Sequence, residues 1–280
     1  MPELPEVEIV RQNLERWLLG RLIVRVEVYR AGCFRTGTSE DGASEDGVSG
    51  DGAAERVEGT RVTGLTRRGK AIWMETSGPV GWLMRFGMTG KWVQELEGLP
   101  RFTRVRVLLD EGKPLCFVDM RNFGGLWVWP REEGPVRLRE EVSGIDPLLE
   151  GLSGVELQAV MQNTGQPIKV ALMDQARVAG VGNIYAVEAL FRAGIHPRTP
   201  ARGLSVEGYE RLASAVVGVL RWAVEAEAAD EVLYLSEPGS ENHFQVYQRE
   251  GEPCPRCAAP LRREVMAQRA TYFCSMCQKY

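Results

Sequence analysis

The 280-residue sequence predicts an α+β multidomain protein, and three observations predict it. Short apolar runs separated by Gly and Pro fill residues 61–129, which is typical of strands. Apolar residues recur at helical spacing from about residue 145. Four cysteines cluster after residue 253. We therefore predict a β-rich domain over residues 1–145, a helical domain over 146–243 and a small cysteine-rich domain over 244–280.

The first elements follow from apolar periodicity. A helix is predicted after the N-terminus, because apolar residues recur every three or four positions: Val7, Val10, Leu14 and Leu18. Gly20 is a natural stop. Residues 22–29 alternate instead, which predicts a strand with three valines on one face: Val24, Val26 and Val28.

The segment 37–54 is rich in Gly, Ser and Asp, and it repeats Ser-Glu-Asp-Gly. It offers little to bury, so we predict a disordered acidic surface insertion. Residues 39–58 carry seven acidic residues and one Arg, whereas the rest of the chain has a net charge of +2 against −4 for the whole. The acidity is local, and it does not exclude a basic nucleic-acid-binding face elsewhere.

The later elements divide into strands and helices. The β-rich runs suggest a sandwich or a barrel-like sheet, and they are residues 71–75, 80–86, 104–109, 115–119 and 126–129. The helical patterns are residues 152–161, 168–177, 184–193 and 205–226. The sequence shows no long apolar run and begins with acidic residues, so we expect a cytoplasmic protein with no membrane segment.

The cysteine spacing is the strongest single motif. Cys254-x2-Cys257 and Cys274-x2-Cys277 match a tetrahedral four-cysteine zinc ribbon, in which protein ligands fill every position. We therefore expect one structural Zn²⁺. The hairpin between the pairs is basic and suits phosphate binding, although a solvated surface is the alternative.

The N-terminus suggests covalent chemistry. Removal of Met1 would leave Pro2 with a free secondary amine, which titrates near pH ~8 and can attack an aldehyde-like carbon. Glu3 supplies the neighbouring carboxylate that a proton-transfer step needs. The alternative is an ordinary helix start, since Pro and acidic residues both favour the first turn.

Three further motifs suggest nucleic-acid binding. The glycine turn before Asn183 feeds a helix N-terminus whose N–H groups can hold a phosphate. Lys70 follows two arginines and Gly69 in a turn, where the alternative is a solvated basic turn. Three residues with long side chains are predicted to lie on loops: Met88, Arg121 and Phe123. Such side chains can fill the gap left by an extracted base. The alternative is that each is an ordinary core or turn residue.

Taken in order, these motifs resemble the formamidopyrimidine-DNA glycosylase / endonuclease VIII family of base excision repair enzymes. The resemblance covers nearly the whole chain. It is carried by five stretches, residues 1–8, 68–70, 87–90, 180–186 and the closing zinc finger with residues 268–271. Leu4 after Glu3 resembles the formamidopyrimidine branch.

The resemblance implies a fold and a reaction. The fold is an N-terminal β-sandwich with a flanking helix, a helix–two-turn–helix domain and a zinc-ribbon hairpin, with DNA in the cleft between. The reaction is the excision of oxidised purines (8-oxoguanine and formamidopyrimidines) from double-stranded DNA, followed by cleavage at the abasic site through β,δ-elimination. The enzyme would act as a monomer.

The resemblance also implies residue roles. Pro2 would form the Schiff base and Glu3 would be the acid/base partner. Lys70 would assist β-elimination, and Arg269 would grip phosphates and assist δ-elimination. Lys169 and Asn183 match positions that grip the DNA backbone. The residues that match the void-filling positions are Met88, Arg121 and Phe123.

The sequence departs from the family at the segment that reads the lesion. Residues 225–231 are acidic where relatives carry a Gly-Gly-Thr/Ser-rich loop. The same chemistry on oxidised pyrimidines therefore stays open as an alternative. An alternative of a different class is a DNA-damage-binding protein that keeps this scaffold without catalysis. Asn122 also replaces the second Arg of the family's Arg-Arg-Phe-Gly motif.

Overall fold

A computed structural model describes residues 2–30, 32–37, 50–229, 231–232, 234–235, 237 and 239–280. The chain divides into two compact units. The first unit comprises Met1–Pro2, Glu6–Glu141 and Glu227–Tyr234. The second unit comprises Glu3–Pro5, Val142–Ala226 and Leu235–Tyr280.

The strands of the first unit form a β-sandwich. In chain order they are β1 (Ile23–Val28), β2 (Phe34–Thr36), β3 (Val62–Arg68), β4 (Ala71–Thr76), β5 (Val80–Arg85), β6 (Lys91–Gln94), β7 (Thr103–Leu109), β8 (Leu115–Val118) and β9 (Gly125–Pro130). One sheet has the order β1-β7-β8-β6 and the other β2-β9-β5-β4-β3. Alternate residues of both sheets share one buried core, which includes Trp82 and Phe117. This shared core is what period-2 alternation produces when one face of each sheet is covered.

Among the described residues of this unit, three α-helices accompany the strands: α1 (Leu4–Leu18), α2 (Gly50–Glu55) and α3 (Gly134–Glu141). The apolar positions predicted for α1 are buried, from Val7 to Leu18. Glu8 joins α1 to β3, because its carboxylate accepts hydrogen bonds from Arg11 at 2.9 Å and from Arg67 Nε at 2.8 Å. Arg67 is therefore buried in an ion pair, whereas the sequence suggested a solvated turn.

The predicted valine face of β1 is wrong at Val24, which is 51% exposed. The pairing of β1 with β7 shifts between Ile23 and Arg25. Such a bulge inserts one residue and reverses the facing of the residues before it. Ile23 and Val26 consequently face the core, and Val24 faces solvent.

The predicted insertion at 37–54 needs a correction at both ends. Gly37 extends the sheet, since its N–H donates to the Val128 carbonyl at 2.7 Å. Residues 50–54 lie in α2, and Ala53 and Ala54 are buried in the sandwich core. The polar composition of the segment gave no sign of these buried positions, because alanine is small and contributes little to the hydrophobicity of its surroundings. Residues 38–49 lie outside the described residues.

The second unit contains four α-helices among its described residues: α4 (Gly154–Met161), α5 (Ile168–Leu172), α6 (Asn183–Ala193) and α7 (Val206–Ala226). A capping box of Ser153 and Glu156 begins α4. The helix predicted over 168–177 ends at Leu172. Asp174 terminates it, because its carboxylate accepts the Ala176 N–H at 3.0 Å and offers the backbone a turn instead.

The second unit ends in a hairpin of β10 (Arg262–Met266) and β11 (Arg269–Phe273). Its base packs on α6, where Val187 and Phe191 share a buried cluster with Leu261 and Cys274. Across the ranges described, no helix combines the length and apolarity needed to cross a bilayer.

Candidate functional site

The carboxylate of Glu3 is bound by the N-terminus of α6 in the second unit. Its Oε2 accepts N–H bonds from Gly182 at 2.7 Å and Tyr185 at 3.3 Å, and its Oε1 accepts from Ile184 at 2.9 Å. Glu3 is only 3% exposed. The unpaired N–H groups of a first helical turn and the helix dipole both stabilise a negative charge. A buried carboxylate is therefore held at a defined position next to Pro2 in the chain.

Two glycines make this arrangement sterically feasible. A Cβ at Gly182 would lie 2.3 Å from the Glu3 Cδ, and a Cβ at Gly180, where φ is +82°, would lie 2.5 Å from the Leu4 Cβ. The sequence predicted that this glycine turn presents its N–H groups to a phosphate. The structure places the carboxylate of Glu3 there instead, so that interpretation of the turn was wrong.

Lys169 adds a buried cation to the same region. It lies in α5, is 0% exposed, and its Nζ has no hydrogen-bond partner among the described residues. Burial, together with the nearby charge of Arg269, lowers the pKa of Lys169 to about 8, and Glu3 opposes both effects. The two cations and the carboxylate thus interact electrostatically within the second unit.

Arg269 follows the tip of the hairpin. The tip residues Ala267 and Gln268 both have positive φ, 46° and 61°, as a two-residue type I′ turn requires. Asn183 connects this hairpin to α6, since its Nδ2 donates to the Ala270 carbonyl at 2.9 Å. The structure therefore brings together four of the predicted site residues: Glu3, Lys169, Asn183 and Arg269.

The four clustered cysteines form a metal site. Their Sγ atoms all lie within 4.8 Å of one another, with 3.9 Å between Cys254 and Cys277 and 3.5 Å between Cys257 and Cys274. Zinc–thiolate bonds of about 2.3 Å in a tetrahedron need sulfur separations of this size. The predicted structural zinc is confirmed, and its role is to hold the hairpin that carries Arg269.

If this hairpin binds DNA, as the sequence resemblance implies, Cys274→Ser is expected to weaken DNA binding at least about tenfold, because a closed zinc site supplies the folding energy of a small hairpin. Circular dichroism should retain the sandwich and helical signals. The measurement is fluorescence anisotropy with an abasic-site duplex, and Cys116→Ser, which replaces a buried cysteine of β8, is the control. Unchanged affinity for Cys274→Ser would contradict a role for the hairpin in binding.

Pro2 and Lys70 belong to the first unit. Pro2 is buried, and one peptide bond joins it to Glu3. Lys70 is half-buried in the turn between β3 and β4, which Gly69 forms with φ +53°. A positive φ at this tight turn favours Gly. The chain reverses direction at Gly69 and Lys70 and continues into β4. The predicted turn location of Lys70 is therefore confirmed, and its chemical role stays a prediction.

The three predicted void-filling residues lie on two loops of the first unit. Met88 is 37% exposed and Phe123 is 66% exposed. An Arg121 Nη1 lies 3.2 Å from the Met88 sulfur, so the loops touch. A Cβ at Gly87 would lie 2.5 Å from the Phe123 carbonyl carbon. The two loops thus present long side chains on one closely packed surface.

Sequence analysis did not identify two buried carboxylates that hold nearby loops by accepting backbone N–H bonds. Asp119 is fully buried and accepts N–H bonds from Arg121 at 3.1 Å and Gly124 at 2.7 Å, besides the Thr89 hydroxyl. Glu188 accepts three N–H bonds from residues 245–247 at 2.9 to 3.0 Å, and burial raises its pKa. An Asp two residues before an exposed Arg is a turn signal that could have identified Asp119. The partners of Glu188 are too distant in sequence to leave a local signal.

If Lys169 grips the DNA backbone, as the sequence resemblance implies, its lowered pKa predicts a pH dependence of DNA binding. Its ammonium is charged below pH about 8 and becomes neutral above it. If the charged form of Lys169 binds a phosphate, the neutral amine must take up a proton when DNA binds above pH 8. The affinity for DNA should then fall up to about tenfold per pH unit above 8. Anisotropy titrations from pH 7 to 9.5 at fixed salt would measure this. Lys169→Arg, which stays charged, should flatten the profile, and parallel profiles would contradict the assignment.

Three family models together match most of the chain. The formamidopyrimidine-DNA glycosylase N-terminal domain matches residues 1–126, and the formamidopyrimidine-DNA glycosylase H2TH domain matches residues 143–236. A zinc finger found in FPG and IleRS matches residues 251–279. These ranges contain the strands, the helices and the cysteine hairpin described above.

Curated relatives match over all or nearly all of their length. The formamidopyrimidine-DNA glycosylase of Parasynechococcus marenigrum is 38% identical, with 99% of this chain and 100% of the relative covered. That of Salinispora arenicola is 37% identical, with 99% and 96% covered.

Solved structures give the same result. The MutM (Fpg) protein of Thermus thermophilus superimposes with a TM-score of 0.81 at 34% identity, covering 99% of this chain and 98% of that one. The Lactococcus lactis Fpg in complex with DNA containing N7-benzyl-Fapy-dG has a TM-score of 0.85 at 27% identity, with both chains fully covered.

Proposed function

The chain belongs to the formamidopyrimidine-DNA glycosylase family, and we propose that it excises oxidised purines from double-stranded DNA with Pro2 as the nucleophile. It is a bifunctional DNA glycosylase and abasic-site lyase of base excision repair. The observation that carries the proposed residue roles is the buried carboxylate of Glu3, held by three backbone N–H groups directly after Pro2.

Once Met1 has been removed, the reaction begins at the terminal secondary amine of Pro2. The Pro2 nitrogen attacks C1′ of the damaged nucleotide, the glycosidic bond breaks, and the base leaves with the bonding electrons and takes up a proton. Glu3 moves the proton that sugar-ring opening requires. Because Pro2 is a secondary amine, the product is an iminium cation. Its positive charge acidifies the C2′ protons, so the same intermediate leads to strand cleavage.

Strand cleavage then needs proton removal and charge stabilisation. Loss of a C2′ proton breaks the 3′ C–O bond, and a second elimination breaks the 5′ C–O bond, which leaves phosphate ends. We assign Lys70 to the first elimination and Arg269 to the second. Lys169 and Asn183 are assigned to the DNA backbone. The support in the second unit is that Lys169, Arg269 and Glu3 interact electrostatically.

Base extrusion is assigned to the first unit. An enzyme that acts on a base in a duplex must take it out of the stack, and apolar or stacking side chains then fill the gap. Met88, Arg121 and Phe123 are exposed on adjoining loops, which supports this role. We also propose the domain division 1–145, 146–243 and 244–280 along the chain, although residues 227–234 of the middle domain belong to the first compact unit. A cytoplasmic location is proposed as well, since the enzyme acts on DNA.

The lesion class is proposed as oxidised purine. A point mutant of the Lactococcus lactis Fpg has been solved with DNA containing Fapy-dG, and a MutM protein has been solved with DNA containing carbocyclic 8-oxo-G. A structure of the Lactococcus lactis Fpg with an oxidised pyrimidine supports that lesion as the second candidate.

Borohydride trapping tests the proposal. Duplexes carrying an abasic site, 8-oxoguanine or an oxidised pyrimidine are incubated with protein whose Met1 removal has been verified by mass. Reduction converts the iminium into a stable adduct that migrates slowly on a denaturing gel. Adducts are expected with the abasic and 8-oxoguanine duplexes. The control is the same protein with a retained N-terminal extension, which turns the amine into an amide and should give no adduct.

Two outcomes would contradict the proposal. An adduct with the oxidised pyrimidine but not with 8-oxoguanine would reverse the lesion class. Tight DNA binding without any adduct, despite a free Pro2, would favour the non-catalytic binder.

A further inference from the structure

Residues 227–234, called here the anchor segment, follow α7 but belong to the first unit. Several contacts attach its described residues to that unit. Ala229 accepts a hydrogen bond from Asn13 Nδ2 at 2.8 Å, and Glu231 accepts one from Lys91 Nζ at 2.7 Å. Val232 is buried in the sandwich core. The segment is therefore fixed to the sandwich at several points.

A further contact reaches the turn that carries Met88. The hydroxyl of Tyr234 donates to the Gly90 carbonyl at 2.7 Å. Gly90 closes this turn, since its N–H donates to the Phe86 carbonyl at 2.9 Å, and a Cβ there would lie 2.5 Å from the same oxygen. Lys91 is the next residue and begins β6. Two side-chain contacts of the anchor segment thus converge on the end of one turn.

The Lys91–Glu231 contact is more than a surface ion pair. Lys91 is buried, whereas Glu231 is half exposed, and Lys91 Nζ also lies 3.4 Å from the Val232 carbonyl. A cation that is largely removed from water needs such partners, and charge-assisted hydrogen bonds are stronger than neutral ones. The pair therefore opposes movement of β6 away from the anchor segment.

We propose that Tyr234 and the Glu231–Lys91 pair are positioning residues for Met88. They hold the end of the turn 86–90 so that the exposed Met88 side chain keeps the orientation needed to fill the gap beside an extruded nucleotide. This inference rests on the proposed function, because it concerns the step of base extrusion.

The inference makes a selective prediction. Extruding a paired base costs unstacking and unpairing energy, and this cost is smaller when the nucleotide has already lost its base. A less well-positioned Met88 should therefore slow excision from a lesion duplex more than it slows cleavage at an abasic site. A general loss of stability would affect both substrates alike.

The test compares Tyr234→Phe and Lys91→Met with the wild-type full-length protein. Single-turnover rates at saturating enzyme are measured on an 8-oxoguanine duplex and on an abasic-site duplex. Losing one hydrogen bond should lower excision about fivefold in Tyr234→Phe, and abasic-site cleavage should stay within about twofold. The matched control is Tyr209→Phe, which also loses a hydroxyl bond to a carbonyl, that of Ala201, and should leave the ratio of the two rates unchanged.

A double-mutant cycle with Met88→Ala separates positioning from other effects. If Tyr234 acts through Met88, adding Tyr234→Phe to Met88→Ala should change excision by less than about twofold further. Two results would overturn the inference while leaving the proposed function intact. The first is that Tyr234→Phe lowers the excision rate by the same factor with and without Met88→Ala. The second is that Tyr234→Phe slows excision and abasic-site cleavage equally. A wild-type protein that cleaves neither duplex would overturn the proposed function, and the inference with it.

Discussion

Pro2→Gly is expected to lower the yield of borohydride-trapped adduct on an abasic-site duplex at least about hundredfold, since the activated nucleophile is lost. A secondary amine necessarily gives a charged iminium, whereas the primary amine of Gly gives an imine that must still be protonated. Gly also lacks the ring that fixes the direction of the nitrogen lone pair. Both losses act on the covalent step.

DNA affinity should change by less than about threefold in Pro2→Gly, because the contacts assigned to phosphate binding are retained. Affinity is measured by anisotropy and adduct yield on denaturing gels. Pro114→Gly is the matched control, since it removes a half-buried proline from the loop before β8. An unaltered adduct yield in Pro2→Gly would refute the assignment of the nucleophile.

Gly182→Ala is expected to reduce both base excision and strand cleavage at least about hundredfold, as losses of oriented acid/base groups do. The added Cβ would lie 2.3 Å from the Glu3 Cδ, so the carboxylate must leave its three N–H partners. The proton-transfer group would then lose the position that the N–H groups at the start of α6 give it. The effect on stability should be about 1–3 kcal/mol, as for other overpacked buried sites.

Gly218→Ala provides the matched control for Gly182→Ala. Gly218 lies within α7, and the nearest atom to an added Cβ is an Arg192 Nη1 at 3.9 Å. This substitution should stabilise the helix by about 0.5–1 kcal/mol and leave both reactions unchanged. Thermal melts and single-turnover assays on both proteins check the pair. Wild-type rates in Gly182→Ala would show that the binding of Glu3 by α6 does not matter for the reaction.

Local patterns were sufficient where function depends on spacing along the chain. The zinc ribbon was predicted from Cys254, Cys257, Cys274 and Cys277, because two short loops and a hairpin determine the ligand geometry without help from the remainder of the fold. Helical and alternating periodicity similarly predicted α1, α6, α7 and most strands. Order along the chain was also enough to recognise the family.

Tertiary structure alone decided where the buried charges lie. The partner of Glu3 is a helix that begins about 180 residues later, and this contact, not a phosphate, occupies the N–H groups of the glycine turn. The bulge that exposes Val24 and the burial of Ala53 likewise depend on neighbours distant in sequence. Composition and periodicity describe a residue's own segment, whereas burial, hydrogen bonding and pKa depend on the segments that pack against it. The sequence therefore determined which chemical groups this protein carries, and only the folded chain determined how Glu3, Lys169 and Met88 are held.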